Sequence, residues 1–111
     1  MLSQHIGPFT CQVSREEGEA VVSPRGELDM ATVGAVDAEL QRLRGNGVGS
    51  IVLDLGGLTF MDSSGLHLLV RWTREASQDG FNFELEPGPP LVQRIFDLAA
   101  VNDTLPWRRN D

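Results

Sequence analysis

The spacing of apolar residues along this chain changes several times, and each change marks an element. Phe9-Thr10-Cys11-Gln12-Val13-Ser14 alternates apolar and polar, the pattern of a half-buried strand. Arg15 to Glu19 is a polar turn containing Gly18. Ala20 to Leu28 reads as a second strand, folded back on the first as a hairpin. Pro24 cannot donate to a ladder, so this strand should be bulged or unpaired there. Val33, Val36, Leu40 and Leu43 then recur at helical spacing, with Asp29 as the expected N-cap and Thr32 as another capping type. Asp37, Gln41, Arg42 and Arg44 fall on the polar side, and Gly45-Asn46-Gly47 stops the helix.

Ile51 to Leu55 is a nearly continuous β-branched and leucine run, interrupted by Asp54. Such a run fits a central strand, parallel to the second. Gly56 to Met61 reads as a connector. A second helical pattern runs from Leu66 to about Ser77 and closes at Asp79-Gly80. Its expected inner face is Leu66, Leu69, Val70, Thr73 and Ala76, with His67, Arg71, Arg74, Glu75 and Gln78 outside and Trp72 between. Phe81 to Glu86 alternates strictly and predicts a fourth strand. After the break Pro87-Gly88-Pro89-Pro90, Leu91, Ile95 and Leu98, with Val92, Phe96 and Ala99, make a third helix.

The order β-β-α-β-α-β-α predicts an α/β fold. The sheet should be mixed but mostly parallel, opened by an antiparallel hairpin, with the helices packed on one face. The loops after the second and third strands should share an edge, bringing Asp29 and Ser63 together. Residues 1–111 are expected to form one domain with a core at about 9–100 and loose tails at both ends.

Composition narrows the function. Nine basic against sixteen acidic residues give a net charge of −7, which argues against nucleic acid and anionic membrane surfaces. No apolar run is long enough to span a bilayer, and Met1-Leu2-Ser3-Gln4-His5 shows no signal-peptide pattern, so the expected location is cytoplasmic. The single Cys11 reads as a small buried apolar thiol, and His5 and His67 lack ligand spacing, so no metal site is expected. No Walker loop or dinucleotide fingerprint is present.

The chemistry concentrates in Thr59-Phe60-Met61-Asp62-Ser63-Ser64-Gly65-Leu66. Two adjacent hydroxyls stand where an apolar run ends and a helix begins. Backbone N–H groups there lack intrahelical partners and the helix dipole is positive, so a phosphate would find donors ready. Ser63 and Ser64 can equally be plain helix-capping hydroxyls. Asp29 can cap a helix or meet a partner, and Asp62 can cap the second helix or orient Ser63. Gly65 either permits close approach of a partner backbone or is simply a small residue in the first turn. Met30, Met61 and Leu66 suit an apolar docking patch, although Leu66 also suits the core. An enzymatic reading would pair Ser63 with His67, but no Gly-x-Ser-x-Gly elbow supports it.

Gly26-Glu27-Leu28-Asp29 and Phe60-Met61-Asp62-Ser63-Ser64-Gly65-Leu66 closely resemble the STAS domains of bacterial anti-sigma factor antagonists, over about residues 9–100. The resemblance implies a non-catalytic regulator that works by partner switching. The unphosphorylated form binds an anti-sigma factor that is also a serine kinase, and so releases a sigma factor. The kinase phosphorylates the first serine of the pair, here Ser63, and a PP2C-type phosphatase resets it. The chain would need no cofactor of its own, because ATP and Mg²⁺ belong to the kinase. A monomer is implied. The partner-facing positions would be Asp29, Met30, Thr32, Met61, Asp62, Ser63, Ser64, Gly65, Leu66 and His67. His67 stands where many relatives have glycine. The alternative is a non-catalytic STAS subunit of a lipid-transport or stress-sensing complex.

Overall fold

A computed structural model describes residues 8–108; the expected loose N-terminal tail, residues 1–7, lies outside the described residues. The elements are β1 (Thr10–Glu16), β2 (Glu19–Leu28), α1 (Val33–Gly45), β3 (Ser50–Asp54), β4 (Leu58–Met61), α2 (Ser63–Asp79), β5 (Asn82–Glu86) and α3 (Pro90–Ala99). The hairpin β1–β2 closes through Glu17-Gly18, both at positive φ (51° and 83°), the primed turn that matches the twist of antiparallel strands. The sheet order is β1-β2-β3-β5, with β3 parallel to both β2 and β5. The α/β architecture, with a mixed and mostly parallel sheet behind an antiparallel hairpin, is as the sequence predicts.

The segment Gly56–Met61 is not a plain connector. Leu55–Gly57 forms a 3₁₀ turn, capped by Asp54, whose Oδ1 accepts from the Gly56 N–H at 2.9 Å. Leu58–Met61 then forms a fifth strand, β4, parallel to the C-terminal half of β2. Its burial pattern, with Leu58 and Met61 buried and Thr59 and Phe60 exposed, breaks the strand alternation, because the register slips between Gly26 and Glu27 and leaves Thr59 as an extra residue. That bulge hid the strand from pattern reading. Strand β2 thus serves two parallel neighbours in turn: Ala20, Val21 and Val22 pair with β3, and Gly26, Glu27 and Leu28 with β4. Pro24 falls in the gap between them, where no parallel ladder bond is lost, while it stays in register with Cys11 of β1.

One face of the sheet carries Ala20, Val22, Ile51, Leu53, Phe83 and Leu85, all buried in a core shared with α1 and α2. The other face bears Ser23, Glu84 and Glu86, part-exposed. Helix α1 contributes Val36, Leu40 and Leu43 to the core. Its N-cap is Thr32, not Asp29. Asp29 lies three residues earlier, where its Oδ1 accepts from the Ala31 N–H at 2.9 Å and shapes the loop. Asp37 and Arg44 are not on a wet face. Asp37 accepts from Trp72 Nε1 at 2.8 Å and pairs with Arg71, tying α1 to α2, and Arg44 lies over the Phe81 ring at 4.0 Å.

Helix α2 is turned relative to the expected face. Gly65, Leu68, Leu69, Trp72 and Ala76 are buried, whereas Leu66, Val70 and Thr73 are half-buried. The indole N–H finds its acceptor on α1, so Trp72 is buried at no polar cost. In α3, Val92 and Phe96 face inward, but Leu91 and Leu98 are 60% and 73% exposed, and Ala99 is exposed too. The C-terminal tail is not loose up to Arg108. Leu105 is buried, Trp107 meets Phe96 edge-on at 5.0 Å, and the Leu85 N–H donates to Pro106 O at 2.9 Å. Arg108 pairs with Glu19 at 3.1 Å and approaches Glu84 and Glu86. Cys11 is half-buried and its thiol is pushed up to about 11, by desolvation first and the Glu39 charge second, so it stays protonated at neutral pH.

Leu105→Ala should therefore destabilise the fold by about 2–4 kcal/mol, read as a lowered urea midpoint; a loose tail would give no shift.

Candidate functional site

The parallel pairing of Leu28 with Met61 places the ends of β2 and β4 side by side. The Asp62 N–H donates to Leu28 O at 3.2 Å, so the loop carrying Asp29 and the start of α2 leave the sheet together. The expected meeting of these two segments is therefore achieved through β4, not β3. Asp62 is the N-cap of α2, and its Oδ1 accepts from the Ser64 N–H at 2.8 Å. The Leu66 N–H is taken by Asp62 O at 3.2 Å. Among the described residues, the N–H groups of Ser63 and Gly65 have no acceptor, and the Ser63 hydroxyl makes no hydrogen bond. Ser63 is exposed at the first helical position, and Ser64 is half-buried.

Of the ten positions read from the sequence, Asp29, Met30, Asp62, Ser63, Ser64, Leu66 and His67 are at least part-exposed, Met30 most of all at 80%. Thr32, Met61 and Gly65 are buried and present no side chain to a partner. Each has a structural task. Thr32 Oγ1 donates to Glu27 O at 2.7 Å and accepts from the Asp29 N–H at 3.0 Å, which clamps the Asp29 loop. Met61 fills the core beneath α2. A Cβ on Gly65 would lie 2.5 Å from Met61 Cγ and 3.0 Å from Leu28 Cδ2, so only glycine lets the first turn of α2 sit this close to the sheet.

Sequence reading missed Phe60, which is 41% exposed on β4. It also missed a shallow groove of about 280 Å³ between α1 and α2, lined by residues including Ser64, His67, Asp37 and Arg71. No pattern in the sequence disclosed Phe60, because the strand that turns it outward was itself hidden by the bulge. Ser63 and His67 form no hydrogen bond, and no cluster of three metal-ligating side chains occurs among the described residues.

This site can be set beside known proteins. The family model described as Mlab, STAS domain, matches residues 11–106. The chain belongs to the STAS domain family. The anti-sigma-B factor antagonist of Staphylococcus epidermidis is 29% identical over 80 residues, which cover 72% of this chain and 74% of that one. The crystal structure of an anti-sigma factor antagonist from Mycobacterium paratuberculosis superposes with a TM-score of 0.81 at 25% identity, covering 93% of this chain and 87% of that one. The unphosphorylated form of the anti-sigma factor antagonist SpoIIAA superposes with a TM-score of 0.69 at 25% identity, covering 94% and 89% of the two chains. In this STAS domain no helix among the described residues is long and apolar enough to cross a membrane.

Gly65→Ala should cost about 1–3 kcal/mol through overpacking against Met61 and Leu28. Paired Gly65→Ala and Met61→Ala variants in a urea titration should show coupling, with the smaller Met61 side chain relieving part of the Gly65→Ala loss.

Proposed function

We propose that this STAS domain is an anti-sigma factor antagonist switched at Ser63. One observation carries the reading. In a chain of this family, the first hydroxyl after the Asp62 cap is exposed, engages no acceptor, and stands at the tip of a 17-residue helix. A kinase can reach it, and unclaimed N–H groups can hold the product phosphate. Unphosphorylated, the protein binds an anti-sigma factor that is also a serine kinase, and a sigma factor is freed. The kinase brings ATP and Mg²⁺. The antagonist itself acts without catalysis, as a cytoplasmic monomer, and a PP2C-type phosphatase restores it. Asp29, Met30, Asp62, Ser63, Ser64, Leu66 and His67 form the contact surface, and Thr32, Met61 and Gly65 hold its shape.

Release follows from charge. Phosphorylation adds about −1.5 to −2 charges beside Asp62 and the Asp29 loop. Within the free protein the helix dipole and the N–H groups tolerate that charge. Against a partner it must be desolvated among carboxylates. A loss of about 3–4 kcal/mol would weaken binding several-hundred-fold. No refolding is required.

Incubation with ATP and an anti-sigma serine kinase from the same genome should add one phosphate by intact mass. Ser63→Ala should abolish it and Ser64→Ala should not. Ser63→Asp should lose kinase binding while circular dichroism is unchanged. Unchanged binding by Ser63→Asp would instead select a STAS subunit that binds permanently, as in a lipid-transport or stress-sensing complex.

A further inference from the structure

One ridge of α2 carries charge opposite to the net charge of the chain, although Glu75 and Asp79 balance its two arginines over the helix as a whole. The chain carries net −7, yet the helix ridge running away from Ser63 presents His67, Arg71 and Arg74, at helical spacing on one exposed side. These three border a trough of about 510 Å³ whose other lining residues are Leu66, Val70 and Val101. The trough continues past Val70 and Arg74 to Thr73, Thr104 and Leu105. Among the described residues no carboxylate lines either stretch. Asp37, which reaches Arg71 from α1, is already committed to Arg71 and to Trp72 Nε1. Arg74 forms no ion pair among the described residues.

An apolar floor flanked by guanidinium groups accepts a segment with the opposite arrangement, apolar along one face and acidic along its flanks. From Leu66 to Arg74 the floor extends roughly 12 Å at 1.5 Å per residue, the length of about two helical turns. Its near end lies one turn from the switch serine, so a partner seated here would bring its active region over Ser63. We propose that this trough is the docking groove for an acidic amphipathic helix of the partner protein, with the unpaired Arg74 selecting its charge. The identity of the partner as the Ser63 kinase rests on the switch reading; the chemistry of the groove does not.

The test uses the whole ¹⁵N-labelled chain and two blocked amphipathic peptides with leucines along one face, flanked by glutamates in one and by lysines in the other. The glutamate peptide should shift the amide resonances of Leu66, Val70, Arg74 and Val101. Its binding should weaken about tenfold or more in Arg74→Glu, which breaks no ion pair among the described residues. The lysine peptide should leave these resonances in place. Equal binding of the two peptides, unchanged affinity in Arg74→Glu, or displacement of the glutamate peptide by phosphatidylglycerol vesicles would overturn the proposal. Phosphate incorporation at Ser63 is measured separately, so a failed switch with an intact groove, or the reverse, is distinguishable.

Discussion

The parallel pairing between the last residues of β2 and the short strand β4 is the constraint on which the site depends. It aligns Leu28 with Met61 and lets Leu28 O receive the Asp62 N–H. Everything placed on the surface follows from that contact. The Asp29 loop must emerge beside the start of α2, and Ser63 must stand at the helix tip, directly after the capping aspartate. Gly65 completes the arrangement, because any larger side chain would push the first turn off Met61 and Leu28.

The buried members of the motif and the exposed ones therefore do different work. Met61, Gly65 and Thr32 belong to packing and hydrogen bonding within the chain, and they fix where the exposed residues point. Asp29 serves both sides, since its side chain organises the loop while remaining part-exposed. A mutation at a buried motif residue would be expected to disturb the surface indirectly, through the position of α2. A mutation at Ser63 would change the surface and leave the core alone.

Electrostatics divides the same surface into two regions. Around Ser63, Asp62 and the Asp29 loop supply negative charge that the helix N-terminus offsets locally. Further along α2, Arg71 and Arg74 border an apolar trough. The two regions are therefore separate in place and opposite in charge.

Local sequence determined the hairpin, the central β3 run, the three helices and the position of Ser63 at a helix start, because each is written in spacing and turn residues a few positions apart. It did not disclose β4, whose bulge at Thr59 erases the alternation a strand normally shows. Nor did it disclose which face of α2 is buried, because Trp72 could turn inward only once Asp37 of α1 was there to accept its N–H. The packed tail through Arg108 and the outward-facing Leu91 and Leu98 were likewise settled by contacts between segments far apart in the chain. Burial of Met61 and Gly65 belongs with these. Periodicity reports which residues can share a face, and only the tertiary contacts decide which face meets protein and which meets water.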